Sequence, residues 1–195
     1  LLDILLQLNT EVVAVAAPES EQGIFHPIKH ISDSEILNYD PNSIELVNGI
    51  GSMPGNTLRK TLNLKFTQHG FKFKTIVAPS AEISSFARID QGAQVLSGVV
   101  IQTGCVIGEA VIVNTRSSID HDSHILPYSH IAPGVTISGD VYIGEATHIG
   151  AGATIIQGIK ISENSIIGAG ACITKDIVNP STVYPAKVFV REMNT

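Results

Sequence analysis

The sequence predicts a parallel β-helix of six-residue repeats over its C-terminal two-thirds, preceded by a small α/β unit. Three observations carry this. From Val77 to Ile173 every sixth residue is Ile or Val, seventeen in succession without a slip. Four positions after each comes a second series of small or aliphatic residues, running from Ala81 through Ser117, Ser123 and Ser129 to Ile177. The first 75 residues keep no such clock and alternate strand-like and helix-like stretches.

Leu1 to Leu8 reads as a helix entered midway. The chain opens on Leu and carries no basic n-region, so the start is not read as a signal peptide and an N-terminal piece is expected to be missing. Glu11 to Ala17 reads as a buried strand ended by Pro18. Ser32-Asp33-Ser34-Glu35 is a capping box before a short helix through Leu37. Ser43 to Val47 is a second strand, leading into Asn48-Gly49-Ile50-Gly51-Ser52. Asn56 is placed to cap a helix ending near His69-Gly70. This alternation predicts a small parallel sheet, with the domain boundary between Phe71 and Val77.

After the boundary the period of six dictates a prism. Each hexad is a short strand and a corner, and three hexads make an 18-residue coil. Coils stack at about 4.8 Å, so the prism is on the order of 27 Å tall. No hexad carries an insertion, and flat flanks suit side-by-side packing of several chains. Composition agrees. Hydrophobic residues are 44% and aromatics only 5%, with no Trp, so thin layers of Ile, Val, Leu and Ala must fill the core. A net charge of −6 disfavours nucleic acid, and no apolar stretch reaches the length that spans a bilayer. Cys105 and Cys172 form no Cys-x-x-Cys and read as core-filling thiols in a reducing cytoplasm.

The clock, combined with particular stretches, resembles a known family. These are Val113-Asn114-Thr115 with Ile119-Asp120-His121-Asp122, then Tyr128-Ser129-His130, then Ile137-Ser138-Gly139-Asp140-Val141-Tyr142-Ile143-Gly144, and the tail Val183-Tyr184-Pro185-Ala186-Lys187-Val188. They resemble the NeuD/PglD-type sugar acetyltransferases of bacterial surface-glycan synthesis, which are left-handed β-helix acyltransferases. The resemblance implies a Rossmann-like acceptor-binding domain over 1–75 and a left-handed β-helix with a short tail over 76–195. It implies a homotrimer with active sites between neighbouring prisms, acetyl-CoA as co-substrate, no metal, and a cytoplasmic protein acting on a small-molecule sugar. The family's first strand and glycine-rich loop are absent here, and its acidic residues after the second strand are replaced by Ala16-Ala17-Pro18.

Acetyl transfer needs a base, a donor for the oxyanion and a groove for coenzyme A. His121, flanked by Asp120 and Asp122, is the candidate base, and the resemblance points to Asp122 as its partner; the bland alternative is a solvated polar corner. His130 follows nine residues later, and in the family it sits near the donor's acetyl group. His148 lies 18 residues after His130 and is expected to stack on it, whereas His124 falls on a different face. Gly139 lies 18 residues after His121, either as an oxyanion donor or as a tight corner. Asn114 either positions the acceptor or belongs to an inward ladder. Ala151, Gly152, Ala169 and Gly170 recur one coil apart and leave a channel for pantetheine, or are ordinary corner grammar. Lys175, Lys187 and Arg191 are candidates for coenzyme A phosphates, or are solvated. Gly49 and Gly51, with Arg59 downstream, match a nucleotide-side segment of the family.

The expected reaction is acetyl transfer to the amino group of a nucleotide-linked amino-deoxy sugar. The alternative is O-acetylation of a sialic-acid-like sugar. A more distant reading is a γ-carbonic-anhydrase-like metal enzyme, which needs three converging histidines where the repeat stacks only His130 and His148.

Overall fold

The computed structural model describes residues 1–17, 27–55 and 57–186. The order is α1 (Leu2–Gln7), β1 (Val15–Ala16), β2 (His30–Ile31), a short 3-10 helix (Glu35–Asn38), β3 (Glu45–Leu46), α2 (Leu58–Gln68) and β4 (Lys72–Phe73). Two-residue strands then run from β5 (Ile76–Val77) to β22 (Thr182–Val183). Asn56, Lys187 and Arg191 lie outside the described residues. No helix among the described residues is long and apolar enough to cross a membrane.

The clock residues are the interior of the prism. In each two-residue strand the first side chain points out and the second in, so His124 is exposed while Ile125 is fully buried. Each strand pairs in parallel with the one 18 residues on, as Val113 with Ile131 and Ile131 with Ile149. Three flat faces result, of seven, six and five strands. Each buried isoleucine contributes roughly 1.5–3 kcal/mol.

The second series is small because it sits under the corners, and its hydroxyls are used. Ser117 Oγ donates to the Ala132 carbonyl at 2.8 Å, Ser123 Oγ to Ser138 at 3.0 Å, Ser129 Oγ to Gly144 at 2.9 Å and Thr147 Oγ1 to Ser162 at 3.0 Å. Cys105 occupies the same place, and its thiol donates to the Asp120 carbonyl at 3.1 Å. Burial pushes that thiol's pKa up, which suits filler and not an acyl carrier. Three residues after each clock position the chain turns left-handed, at every sixth residue from Gly92 to Gly170. That conformation explains much of the glycine.

The prism closes with a shortened coil. Ile166 pairs with Thr182, 16 residues on instead of 18, and Asp176 Oδ1 accepts the Lys160 N–H at 2.9 Å.

The N-terminal unit departs from expectation. Its described residues form two separate parallel pairs, β1 with β2 and β3 with β4, and not one continuous Rossmann-like sheet. The strand expected over 11–17 is reduced to Val15–Ala16. Val12 is drawn instead into an apolar cluster with Ile4, Leu5, Ile76 and Leu96, which fastens the unit to the first coil. The capping box forms, with the Ser32 N–H donating to Glu35 Oε2 at 2.7 Å, but it opens a 3-10 turn and not an α-helix. A second small core holds Ile31, Ile36, Phe66, Phe71 and Phe73.

This unit packs on the outside of the seven-stranded face, where Ile76, Gln94 and His130 are buried. Gln94 Nε2 donates to the Asn48 carbonyl at 2.8 Å. From α2, Lys60 reaches Glu145 at 2.6 Å and lies over the Tyr128 ring, clasping the edge between the seven- and five-stranded faces. Both charges are about two-fifths exposed, so the pair contributes at most about 1 kcal/mol.

Candidate active site

His121 stands at the edge between the six- and five-stranded faces, on the corner joining Ser118–Ile119 to His124–Ile125. Its Nδ1 is 2.9 Å from Asp122 Oδ2, with both side chains substantially exposed. Asp120 Oδ1 accepts the His121 backbone N–H at 2.9 Å and so braces the corner. The hydrogen bond to Asp122 raises the imidazole's pKa above its ordinary value, and the charges of Asp120, Asp122 and Asp140 reinforce it against slight desolvation. With Nδ1 occupied by a carboxylate, Nε2 is the free nitrogen.

Gly139 lies directly beneath that ring. A Cβ there would stand 2.5 Å from His121 Nε2 and 2.6 Å from Cε1. The left-handed corner residue is Asp140, with φ 56°, so Gly139 is not required by the turn. The glycine makes room for the imidazole. Its own N–H has no hydrogen-bond partner among the described residues, which leaves it available as a donor. Beside this edge, a shallow cleft of about 230 Å³ is lined by Val100, Gln102, Ser118, Asp120, Thr136 and Ser138 of the six-stranded face.

A second group of polar residues lies on the seven-stranded face. His130 is buried, and its ring meets His148 edge-to-face at 4.9 Å. Burial, then the neighbouring His148 and Arg59, lowers the His130 pKa to about 4 against the opposing pull of the Ser52 backbone. His148 is also lowered, by burial. Both rings are therefore neutral at pH 7, which disqualifies His130 as a base of useful strength. Asn114 Oδ1 accepts the Thr115 N–H at 2.8 Å, so its amide nitrogen is the group that faces His130 Nε2 at 3.3 Å. No third His, Cys, Asp or Glu joins the two rings as a metal-binding group among the described residues.

Arg59 is buried under the N-terminal loop. Its Nη1 donates to the carbonyls of Asn48 at 2.9 Å and Ile50 at 2.8 Å, and burial lowers its pKa to about 10. Asn48 in turn holds Asn63 and the Ile50 N–H. The guanidinium thus shapes the Asn48–Ser52 loop from below, while Gly49 and Gly51 are exposed with open space where a Cβ would be. Ala151, Gly152, Ala169 and Gly170 are all exposed along the edge between the seven- and six-stranded faces, where the Gly170 N–H donates to the Ala151 carbonyl at 2.8 Å. Lys175 is exposed near the end of the prism.

The structure therefore gathers His121, Asp122 and Gly139 at one edge, and Asn114, His130, Arg59 and the 48–52 loop on the opposite face. In a three-sided prism the edge between two faces is farthest from the third. The sequence reading passed over Asn48, Gln94, Asp140 and Gly104. Stepping 18 residues from Asp122 leads to Asp140 and Gly104, as the same step led from His121 to Gly139. Gln94 gave a weak signal, as a polar residue between Ile76 and Ile112 in the column that goes on to His130 and His148. Asn48 gave no such signal.

Comparison with known proteins fits this geometry. The model of the bacterial transferase hexapeptide family (six repeats) matches residues 140–175. Among curated proteins nothing matches the sequence. The acetyltransferase domain of PglB from Neisseria gonorrhoeae FA1090, solved with acetyl coenzyme A, is similar at 30% identity and a TM-score of 0.83, over 96% of this chain and 91% of that one. A perosamine N-acetyltransferase from Caulobacter crescentus, solved as a His→Asn variant with CoA and GDP-perosamine, is similar at 26% identity and a TM-score of 0.81, over 93% and 84%. WeeI from Acinetobacter baumannii AYE shares the fold at 15% identity and a TM-score of 0.59, over 89% and 84%. An identity of 30% sustained over more than nine-tenths of both chains is too extended for the repeat alone to explain, and this chain belongs to the hexapeptide-repeat sugar acetyltransferases of the left-handed β-helix superfamily.

Proposed function

We propose that the chain moves an acetyl group from acetyl-CoA to the amino group of a nucleotide-linked amino-deoxy sugar, in the cytoplasmic stage of bacterial surface-glycan synthesis. The observation that carries this is the His121 imidazole, held by Asp122 over Gly139 with Nε2 free. Nε2 takes the proton from the acceptor amine as its nitrogen attacks the thioester carbonyl. The Gly139 N–H receives the developing oxyanion. Collapse expels the coenzyme A thiolate, which takes the proton back from the imidazolium. Asp122 keeps the tautomer and steadies that imidazolium.

Asp120 and Asp140 favour an amine over a hydroxyl, because the field that raises the His121 pKa also draws an acceptor arriving as an ammonium ion. The similar Caulobacter enzyme is an N-acetyltransferase crystallised with GDP-perosamine, which supports the same class. The donor lies along Ala151, Gly152 and Ala169, with neutral His130 near its acetyl end and Lys187 on its phosphates. The nucleotide lies against Gly49 and Gly51, which Arg59 holds in place, and Asn114 orients His130. The test is thiol release from acetyl-CoA with a panel of nucleotide-linked amino sugars, their hydroxyl counterparts and free nonulosonic acids. Turnover confined to the hydroxyl acceptors would overturn the amine assignment.

This reading needs more than one chain, since His121 and the His130 face point away from each other within a single prism. A homotrimer whose sites form between neighbours satisfies it. His121→Ala and His130→Ala chains, each poorly active alone, are expected to complement when mixed and reassembled. Random 1:1 assembly into a cyclic trimer puts intact halves at about a quarter of the sites, so about a quarter of wild-type activity should return. No recovery would place the site within one chain.

A further inference from the structure

Resting on His121 as the base, we propose that Gly104 is a positioning residue: its missing side chain is the space in which the Asp122 carboxylate lies, and this holds Asp122 Oδ2 against His121 Nδ1. Gly104 precedes Asp122 by one coil, and the Asp122 N–H donates to the neighbouring Thr103 carbonyl at 2.9 Å. A Cβ on Gly104 would overlap Asp122 Oδ1 and stand 3.3 Å from its Cγ. One carboxylate oxygen is therefore lodged over the glycine while the other meets the imidazole at 2.9 Å. Gly139 does the same on the far side of the pair, beneath the ring. The dyad is clamped between two absent side chains, one coil before and one coil after.

The turn by itself does not explain the glycine. Gly104 has φ 72°, but Ala110, Arg116, Asp122 and Ala146 hold the same left-handed conformation at equivalent corners. What distinguishes Gly104 is its neighbour. The left-handed glycines 134, 152, 158 and 170 have open space where a Cβ would be, and those at 92 and 98 meet side-chain carbons of Phe73 and Arg116 no nearer than 3.1 Å. Gly158 belongs to the same column as Gly104, Asp122 and Asp140, has φ 75°, and faces nothing within 4 Å. It carries the same backbone conformation without the carboxylate. The atom that a Cβ at 104 would displace is the free end of a side chain, so the coil can survive while the dyad is broken.

The experiment compares Gly104→Ala, Gly104→Asn and Gly158→Ala by steady-state acetyl transfer across pH, with thermal melts alongside. Asn tolerates the left-handed conformation but still brings the Cβ, so G104N separates crowding from backbone strain. Both Gly104 variants are expected to lose at least ten-fold in kcat with KM for acetyl-CoA within two-fold, and their acid limb should move to lower pH as His121 loses its partner. G158A should match wild type in kcat and pH profile. In an Asp122→Ala background, where nothing remains to displace, Gly104→Ala should cost less than two-fold more. A kcat and pH profile for G104N equal to those of G158A, or a loss that multiplies fully with Asp122→Ala, would overturn the role. If His121→Ala itself retains turnover, the base assignment fails instead, which keeps the two failures distinguishable.

Discussion

Replacing His121 with Ala is expected to lower turnover by roughly 10²–10⁴-fold, the usual contribution of a positioned general base, and to leave the fold intact. The side chain stands at an exposed edge, outside the buried clock, so melting should not move. Acetyl-CoA binding should persist, because the donor groove is assigned to later coils. Asp122→Asn keeps the size of the side chain and removes the charge that supports the imidazolium, so it should cost less than the histidine. The pH dependence follows from the same hydrogen bond. Asp122 raises the His121 pKa, so the neutral, basic form is lost as pH falls through a value above the ordinary 6.5. Wild-type turnover should therefore begin to fall at a pH above that value, and Asp122→Asn should shift the limb downward. Steady-state transfer across pH for the three proteins checks this. An Ala variant with most of its turnover and an unchanged profile would move the base elsewhere, and His130, neutral down to about pH 4, is a poor replacement.

Replacing Ile131 with Asp is expected to prevent folding. Ile131 has no accessible surface and sits between Val113 and Ile149 in the interior ladder. The ladder around it is aliphatic, and the nearby buried hydroxyls of Ser117, Ser129 and Thr147 are already donated to backbone carbonyls. An unpaired carboxylate in that position costs several kcal/mol, comparable with the whole stability of an ordinary domain. The coils fold as neighbours on neighbours, so the defect is not confined to one rung. Ile131→Val, by contrast, should cost about 0.5–1.5 kcal/mol. Soluble yield and melting temperature of the two variants are the measurements. A soluble Asp variant with unchanged melting would refute the inward assignment.

The prism was legible because its rule is local and repeated. A side chain facing inward at each hexad must be Ile or Val, and its neighbour under the corner must be small, so the sequence records both series at every rung. The same regularity turns sequence spacing into spatial position, which is why 18-residue steps identified the stacking of His130 on His148 and of Gly139 beneath His121. The N-terminal unit has no such rule. Whether Val12 belongs to a strand or to the cluster with Ile4 and Ile76 depends on where the first coil sits, and the hydrophobic pattern is the same either way.

The sequence by itself determined the repeat, the inward and outward sides of every rung, and the family to which His121 and Asp122 point. Only the tertiary structure decided what each polar residue faces. Of the two readings open for Gly139, oxyanion donor or tight corner, it removed the corner, because the left-handed residue is its neighbour Asp140 and the glycine gives clearance to the His121 ring. It placed Arg59 under a loop, bonded to the Asn48 and Ile50 carbonyls, because α2 packs that side chain inward against the seven-stranded face. It also set Arg59 and the Ser52 backbone against His130, on the face opposite His121, because the N-terminal unit docks there through contacts such as Gln94 to the Asn48 carbonyl and follows no repeat that would fix its place in advance.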